Sequence, residues 1–564
     1  MKYLVSIAVG PVQDFIAAAR KTRDLWYGSW LLSELSKSAA LKLCACPGTE
    51  MIFPPPGADL AVKSDYTVVN KLLAIVEADS PIGVRAITAA CEEAVRERLL
   101  AAWSEAKAQA MARLGPADIS INIDLAEKQL SQITEFYAAW ELLDGNYQKR
   151  REAVELRLAA RKTLRDFPAH QGGGEIPKSS IDGGRESILR FPKEDRRNQF
   201  LVRHNEHLDA VGLLKRVGRA RERRVHFEST LDVAARPYLA RVINRHGQAA
   251  FDNFNAFLAQ KGLAKSAGYF YPHESRQISN EALRDEVQGR VDQLKVGQPN
   301  PPYYALLIGD GDSMGGTISK IQNADQHRVF SRALSDFAHD VPEILDQHGA
   351  QAVYAGGDDV IALLPLHTAI DCAHELNAAF GRAVNGLPAD LPRPTFSAGL
   401  AVAHALDPLT ETRALAKSAE GKAKDYEGAA GRKKDALAII VAPRSGSNVE
   451  AVGHWAVFLP KLRQIVGLYR QGELSPGLAH ELRKLLGAWA EDDLREAKQE
   501  KMDHTLLPLA RAIARKKHFH ENSLALLEEG MGRVELTELM NLLFVARPFA
   551  RAEKEAEKGK GAND

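Results

Sequence analysis

The sequence is poor in cysteine. Only four of its 564 residues are cysteines, too few for disulfides to hold together a chain of this size. Cys44 and Cys46 form a close pair, but a zinc site built from paired thiolates would need a second pair, which Cys91 and Cys372 do not supply. We therefore expect free thiols and no bound zinc.

Long apolar runs are also missing. No run approaches the roughly 20 residues that a membrane-spanning helix needs. Near the N-terminus, Gln13 and Asp14 stand where a signal peptide would require small residues. The charge is balanced as well, with a formal net charge of +1. These absences predict a cytoplasmic protein without a membrane partner.

Local basic clusters nevertheless occur in the balanced chain. They span residues 149–162, 215–224 and 514–518. Solvated helix faces explain most runs of this kind, but a phosphate backbone such as that of RNA would also be bound by them. Both interpretations stay open. If the second cluster binds such a partner, charge reversal at Arg221, Arg223 and Arg224 should weaken the binding.

The length predicts several domains, because one hydrophobic core rarely serves more than about 300 residues. The composition is that of a globular protein, 45% hydrophobic and 26% charged. The predicted fold class is α+β. The predicted segments are 1–195, a ferredoxin-like domain with a helical insertion; 196–297, a helical middle domain; 298–447, a second ferredoxin-like domain; 448–550, a C-terminal helical domain; and 551–564, a charged, disordered tail.

The segment 298–447 has the most regular alternation of strand and helix patterns. Strand patterns at YYALLIG, QAVYA, VIALLPL and TFSAGLAVAH combine with two helical patterns in the order β-α-β-β-α-β. This order is typical of the ferredoxin-like arrangement, a four-stranded sheet with helices on one face. Elsewhere, helical patterns cover about 83–113, 124–165 and 448–547.

Two adjacent carboxylates follow a glycine pair in YAGGDDVIALLP, residues 354–365. Neighbouring carboxylates repel each other, and a bound divalent cation cancels that repulsion most simply. In the ferredoxin-like order, the strand that ends before Asp310 is the central neighbour of this hairpin, so Asp310 and Asp358 should meet. With the Gly311 carbonyl, they would leave positions on Mg²⁺ for phosphate oxygens and water.

The hairpin carboxylates are not equivalent. Adjacent strand residues point to opposite faces of a sheet, so Asp358 and Asp359 cannot both bind one ion if the strand is regular from the turn onward. We favour Asp358 as the ligand, with Asp359 reaching a second ion or tuning the first. Asp312 is a weaker candidate, because it could equally cap the helix that follows.

Glycines and lysines complete the candidate site. Gly311, Gly315 and Gly316 remove side chains after the strand, so that backbone N–H groups could approach a triphosphate. Lys422 and Lys424 could neutralise phosphates, although a solvated lysine is an equally good interpretation of each. Together these residues predict nucleotidyl transfer, with two metal ions and a nucleoside triphosphate as substrate.

The N-terminal strand and turn look like a degenerate copy of this site. When residues 3–11 are set against 304–312, Tyr3 falls on Tyr304 and Val9 falls where Asp310 stands. The corresponding region has no GGDD hairpin. If the match is real, the first unit lost its metal carboxylate and could bind a second nucleotide as acceptor; a chance match is the alternative.

Several longer segments resemble one family. GPVQDFIAAARKTRDLWYGSWLLSEL, KSSIDGGRESIL, ESTLDVAARPYL, IGDGDSMGG, YAGGDDV and TFSAGLAVAHALDPL look like the large subunit of type III-B CRISPR effector complexes, the Cmr group. The resemblance implies two Palm domains of nucleotide cyclase-like fold, one of them active, with helical domains between and after them. It also implies that bound target RNA switches on polymerisation of ATP to cyclic oligoadenylate.

The resemblance implies partners and ligands as well. The partners are the other subunits of the complex, guide RNA and target RNA, and the ligands are ATP and two Mg²⁺ or Mn²⁺ ions. The candidate residues are Asp310, Gly311, Asp358 and Asp359 for the metal ions, with the three aspartates as catalytic residues, and Gly311, Asp312, Ser313, Gly315, Gly316, Gly356, Gly357, Lys422 and Lys424 for the nucleotide.

Two features depart from the family. Many relatives carry an HD nuclease domain before the first Palm, whereas this sequence begins at the Palm, and its pair His339-Asp340 lies in a predicted helix. Nuclease activity is therefore not expected. Relatives often bind zinc through paired CxxC motifs, but the loop around HQGGGEIP has no cysteine.

Three functions stay open. The first is cyclic oligoadenylate synthesis. The second keeps the same Palm chemistry but makes a cyclic dinucleotide or an adenylate conjugate. The third is a scaffold subunit whose Palm is silent, although an unused carboxylate cluster would cost stability through repulsion.

Overall fold

The computed structural model of the chain describes most of the sequence. The described residues are 1–113, 120–164, 176–190, 202, 206–218, 228–263, 266–428, 431–488, 499–516, 524–528 and 533–558. Arg221, Arg223 and Arg224 lie outside the described residues, as do the last two positions of the cluster at 514–518.

Strands form two main sheets in the described part of the chain. The strands are β1 (Lys2–Gly10), β2 (Glu50–Phe53), β3 (Lys71–Glu77), β4 (Ser120–Ile121), β5 (Glu135–Leu142), β6 (Leu189–Arg190), β7 (Tyr303–Asp312), β8 (Gln351–Gly356), β9 (Asp359–Pro365), β10 (Thr395–His404), β11 (Ala436–Val441) and β12 (Val449–His454). Strands β4 and β6 pair only with each other.

Helices connect and cover these sheets. The helices are α1 (Gln13–Ala17), α2 (Thr22–Cys44), α3 (Pro81–Arg113), α4 (Ile123–Ser131), α5 (Tyr147–Thr163), α6 (Ala210–Val217), α7 (Thr230–His246), α8 (Gln248–Gln260), α9 (Pro272–Ser275), α10 (Glu281–Leu294), α11 (Met314–Lys320), α12 (Ala324–Gln347), α13 (Ala369–Asn385), α14 (Leu409–Asp425), α15 (Trp455–Gln471), α16 (Gly477–Ala488), α17 (Gln499–Lys516) and α18 (Arg533–Glu557). Polar side chains cap the N-termini of several helices. At α5, for example, the Asn146 side chain accepts a hydrogen bond from the Lys149 N–H.

The first sheet has the strand order β2-β3-β1-β5, with antiparallel neighbours. Strand β1 is central and almost wholly buried, as its apolar sequence KYLVSIAVG predicts. The order is that of a ferredoxin-like sheet, with α2 and α3 as the two crossover helices. Strand β5 corrects the sequence prediction, because Glu135–Leu142 lies inside the stretch 124–165 that was predicted as helix.

The second sheet has the order β12-β11-β10-β7-β9-β8 in the described part of the chain. Its last four strands form the predicted ferredoxin-like unit. Strand β11 adds parallel to β10, and β12 then pairs antiparallel with β11. The prediction that the segment 448–550 begins as helix is therefore wrong, because the segment begins with a strand of this sheet.

The two sheets pack in a reciprocal manner. Helix α2 of the first unit contacts β8 of the second, and α12 of the second unit contacts β2 of the first. Because α2 and α12 are corresponding helices, this is a pseudo-twofold arrangement of two like units. Arg328 of α12 links the two units. Its guanidinium pairs with the Glu50 carboxylate at 2.8 Å and donates a hydrogen bond to the Met51 carbonyl at 3.1 Å. The prediction of an α+β protein with two ferredoxin-like domains is confirmed.

Helices α7, α15 and α18 pack on the second unit, whereas α4 and α6 pack against α2 and α3 of the first unit. Helix α7 packs against β9 and α18, and α15 packs against α18. The tail prediction for 551–564 is wrong at its start, because α18 continues to Glu557. Glu555 accepts a hydrogen bond from the Asn300 N–H at 2.9 Å and so holds this end of the helix. No helix among the described residues is long and apolar enough to cross a membrane. His339 and Asp340 lie exposed on α12, in helix as predicted.

Candidate active site

Strand β7 carries Asp310 into the sheet instead of ending before it. It runs through Asp312, and its pairing with β9 sets Ile308 against Ile361 and Gly309 against Val360. The next step of this register sets Asp310 opposite Asp359. Directly opposed residues of an antiparallel pair project from the same face. The structure therefore brings Asp310 and Asp359 together on one face.

The hairpin turn consists of Gly357 and Asp358, because Gly356 pairs with Asp359. Gly357 has a φ of +64°, a left-handed conformation that favours glycine. Asp358 projects toward Gly311, where an added Cβ would stand 2.9 Å from the Asp358 Cβ. Only glycine at 311 leaves room for this carboxylate. All three aspartates thus lie at one end of the β7–β9 pair, with Asp358 on the Gly311 side.

The hairpin carboxylates share an environment that disfavours ionisation. The pKa of the Asp358 carboxyl is raised to about 7, first by burial and then by the charge of Asp359. Burial also raises the pKa of Asp359, while Lys417 opposes that rise. Asp359 still reaches solvent on its open side. Burial next to both carboxylates raises the pKa of the Tyr354 hydroxyl as well. A cation would relieve this stress.

Helix α14 places a cation against Asp310. The Lys424 ammonium contacts the Asp310 carboxylate, and it lies 3.3 Å from Glu420. Glu420 is buried and also pairs with Lys417 at 2.7 Å. The helix approaches so closely because Gly399 of β10 has no side chain; an added Cβ would stand 2.1 Å from the Glu420 N. Glu420 and Lys417 were not predicted, although positions 417, 420 and 424 share one helix face.

Asp312 is buried and does not cap α11. Its Oδ2 accepts hydrogen bonds from the hydroxyls of Thr395 and Ser397, each at 2.8 Å, and from the Asp435 N–H at 3.1 Å. The cap position is Ser313, whose side chain makes no capping hydrogen bond. Among the described residues, Asp312 Oδ1 has no hydrogen-bond partner. The structure therefore uses Asp312 to tie β7 to β10 and to the start of β11.

The predicted nucleotide-binding residues separate into two groups. Gly315 and Gly316 face open space, and Ser313 receives a hydrogen bond at 3.4 Å from Lys434, a residue that the sequence did not single out. Lys422 instead pairs with Glu450 of β12 at 2.8 Å, on the outside of the sheet. The structure thus brings Lys424 to the carboxylates, but it does not bring Lys422 there.

Helix α11 is held from the first unit. Gln148 of α5 donates to the Ser319 carbonyl at 2.8 Å, and Arg151 donates to the Ile318 carbonyl. Beside them, the Tyr147 hydroxyl and His327 Nδ1 share a buried hydrogen bond of 2.8 Å. Burial lowers the pKa of His327 to about 3, so this histidine is neutral at ordinary pH. The first unit therefore fixes the C-terminal end of α11.

The carboxylates would suit an ion that arrives with a nucleotide better than a resident ion. Within the described residues, no three His, Cys, Asp or Glu side chains converge as a metal site. Mg²⁺ commonly binds through one or two carboxylates and completes its shell with phosphates and water. Asp310 and Asp359 supply hard oxygen ligands of that type, and the Lys424 ammonium shows that a positive charge is accommodated there.

Two family models match the chain. Residues 303–438 match the second palm domain of Cas10/Cmr2, and residues 4–108 match the N-terminal domain of the CRISPR-associated protein Cmr2. These two segments are thus similar to Cas10/Cmr2 domains. The first contains Asp310 and the hairpin, and the second contains β1 to β3 of the degenerate unit.

Cas10/Cmr2 relatives match most of the chain. The CRISPR system Cmr subunit Cmr2 of Pyrococcus furiosus is 25% identical over 571 residues, which cover 80% of this chain and 63% of that protein. The chain thus spans less than two thirds of that relative. A cryo-EM structure of type III-B Cmr-beta in the apo state matches with a TM-score of 0.66 at 13% identity, covering 97% of this chain and 82% of that one. Cmr-beta bound to cognate target RNA matches with a TM-score of 0.65 at 14% identity, covering 97% and 83%. The last two show the shared fold.

The Cmr2-like N-terminal unit has a cavity where the second palm has its carboxylates. The cavity, of about 500 Å³, lies at the end of β1 and is lined by Val9, Asn70 and Lys162, among others. The Val9 N–H donates a hydrogen bond to the Asn70 carbonyl. Val9 and Asn70 are therefore neighbours, and they occupy the positions that correspond to Asp310 and Asp359. Helices α5 and α14 each have 17 residues, and Lys162 and Lys424 are each the last but one. The cavity is the counterpart of the palm site, with Val9 and Asn70 in place of Asp310 and Asp359, and the carboxylates of Asp14 and Glu135 also line it.

The described basic residues at the start of the cluster 215–224 take structural roles. Lys215 and Arg216, from the basic cluster at 215–224, are buried. Arg216 bridges Asp24 and Glu206, each at 2.8 Å. They tie α6 to α2 and offer no surface to RNA.

The cysteines are free: Cys91 and Cys372 are buried, and Cys44 and Cys46 reach solvent to different extents.

Proposed function

We propose that this chain is the large subunit of a type III-B CRISPR effector complex. Its partners would be the other subunits, guide RNA and target RNA. The support is the combination of Cas10/Cmr2 domains in both units with a fold that aligns along 97% of the chain with Cmr-beta. In this proposal, bound target RNA switches on the second palm domain, which joins ATP into cyclic oligoadenylate.

One observation carries the enzymatic proposal. Asp310 and Asp359 come directly next to the last pair of the β7–β9 register, Gly309 with Val360, and Asp358 lies in the turn beside Gly311. This set of carboxylates lies next to an open glycine segment at Gly315 and Gly316. Such an arrangement suits phosphoryl chemistry, which requires charge neutralisation and alignment more than covalent catalysis.

Each residue has a role in that reaction. A ribose hydroxyl of one nucleotide attacks the α-phosphorus of ATP, a phosphodiester forms, pyrophosphate leaves and the hydroxyl loses its proton. Mg²⁺ or Mn²⁺ ions bound at the carboxylates would neutralise the phosphates and favour the deprotonated hydroxyl. Asp310 and Asp359, with Asp358, hold that charge; Lys424 and Lys434 stand where the triphosphate would need positive partners. The cavity beside Val9 and Asn70 would receive the acceptor nucleotide.

Product analysis tests the proposal. The assembled complex is incubated with ATP, Mg²⁺ or Mn²⁺, and cognate RNA, and the products are identified by mass spectrometry. We expect cyclic oligoadenylate from the wild type. Loss of a charge-neutralising carboxylate should reduce it by about a hundredfold or more in Asp310→Asn and Asp359→Asn. Asp340→Asn, exposed on α12, is the control and should retain product formation.

The alternatives are outcomes of the same experiment. A cyclic dinucleotide or an adenylate conjugate would keep the palm chemistry and change the product. No nucleotide product with any metal ion or RNA would favour the scaffold. Unchanged synthesis in Asp310→Asn would refute the proposed site even if oligoadenylate is made.

A further inference from the structure

Lys424 holds the position that a divalent cation needs at Asp310. Its ammonium contacts Asp310 Oδ2, and neither side chain is exposed freely, with 26% and 22% of their surface accessible. One carboxylate oxygen that carries a full ammonium contact is a poor ligand for a second cation, since the two cations repel each other. A metal ion at Asp310 therefore requires Lys424 to move.

Glu420 offers the displaced ammonium another partner. It is 2% exposed, and it lies 3.3 Å from Lys424 on the same face of α14. Its position is fixed, because the helix backbone at Ala416 to Glu420 rests directly on Gly399. Lys417 binds the other oxygen of Glu420 at 2.7 Å. A small rotation of the Lys424 side chain would thus exchange one carboxylate for another without leaving the ammonium unpaired.

The ion pair of Lys424 and Asp310 has a second cationic neighbour, Lys434. Lys434 itself reaches toward Ser313. Two ammonium groups therefore crowd the entrance of a site that also holds three aspartates. The two ammonium groups neutralise these carboxylates only in part, and the balance of charge changes when a metal ion enters.

We propose that Lys424 is an internal counter-ion that competes with the divalent cation for Asp310, and that Glu420 receives it when the metal ion binds. The inference rests on the proposed function, because it assigns the metal ion to Asp310. Lys424 keeps Asp310 neutralised in the empty site and turns to Glu420, or to the incoming triphosphate, when the ion is loaded. Glu420 is a positioning residue in this scheme and does not touch the substrate.

Metal binding without nucleotide tests the competition. Mn²⁺ affinity of the full-length chain is measured by the loss of the free-ion EPR signal during titration. Removing the competing ammonium in Lys424→Met should tighten Mn²⁺ binding by about fivefold, the effect of a partly buried ion pair. Lys422→Met is the matched control, two residues away and paired with Glu450, and it should bind Mn²⁺ as the wild type does. Asp310→Asn added to Lys424→Met should abolish the gain.

Glu420→Gln tests the second half of the proposal. The amide has the same shape but cannot receive the ammonium as an ion pair, so Lys424 should stay on Asp310 and Mn²⁺ binding should weaken by about threefold. Unchanged binding in this variant would remove Glu420 from the scheme. Lys424→Gln is a second substitution, and thermal melts by circular dichroism verify that each variant is folded.

The outcomes separate this inference from the proposed function. Equal or weaker Mn²⁺ binding in both Lys424 variants overturns the competition, even if the complex makes oligoadenylate. Tighter binding that persists with Asp310→Asn also overturns it, because the gain then arises elsewhere. Tighter binding that depends on Asp310 supports it, whether or not a nucleotide product is found.

Discussion

Replacing Gly399 by alanine should push α14 away from the sheet. The new Cβ would stand 2.1 Å from the Glu420 N, 2.6 Å from the Ala419 carbonyl carbon and 2.7 Å from the Ala416 oxygen. Ordinary contact begins at 3.4 Å, so the nearest backbone atom must retreat by about 1.3 Å, the difference between 3.4 Å and 2.1 Å. These neighbours are backbone atoms and cannot rotate away. Overpacking of this kind costs about 1–3 kcal/mol.

Urea denaturation measures that cost. Gly399→Ala should lower the free energy of unfolding by at least about 1 kcal/mol and should also reduce nucleotide synthesis, because Lys424 and Glu420 move with the helix. Gly421→Ala is the control. Gly421 lies on α14 itself, an added Cβ there has no neighbour within 4 Å, and alanine should stabilise the helix by about 0.4–1 kcal/mol. If Gly399→Ala unfolds at the same urea concentration as the wild type, the close approach of α14 to β10 is refuted.

Two further predictions concern buried charge. The Asp358 carboxyl, with its pKa raised to about 7 from 3.8, contributes stability that is complete below pH 3.8 and lost as the pH rises through about 7. Without divalent ions, the free energy of unfolding of the wild type should therefore fall relative to that of Asp358→Asn as the pH rises through that window. Urea titrations measure both free energies, and a difference between them that does not vary with pH would contradict the prediction. Arg216→Met leaves Asp24 and Glu206 buried without their shared cation and should cost about 3–5 kcal/mol. Arg463→Met, which breaks an exposed pair, should change the free energy of unfolding by less than about 1 kcal/mol. Urea titrations of both variants measure the two costs, and equal costs would refute the distinction.

The strand and helix order of the second unit could be predicted from the sequence because its patterns are strong. The strand VIALLPL is a continuous apolar run and TFSAGLAVAH is mostly apolar, which suits strands covered on both faces. The strand β5 was missed because EFYAAWEL contains alanine, glutamate and leucine, which favour helix. Its pairing with β1 overrides that preference. The strand β12 is short and polar, and only its partner β11 reveals it.

The candidate aspartates were found from the sequence, but their relative placement was not. The prediction put the turn at Gly356-Gly357, whereas the structure has it at Gly357-Asp358. A shift of one residue moves every following side chain to the other face. Asp359, and not Asp358, therefore stands opposite Asp310. Which of the two binds an ion stays a prediction. Glu420 and Lys434 could not be predicted, because their approach to Asp310 depends on how α14 and β11 pack on the sheet.

The pairing of β12 with β11 decides how this protein can be divided. A fragment cut after residue 447, at the predicted domain boundary, would leave the N–H and C=O groups of Ala436–Val441 along an open edge. Such edges recruit other strands and promote aggregation. A fragment that continues past His454 keeps that edge covered. The palm and the helices that follow it are thus joined by a shared strand and not by a linker.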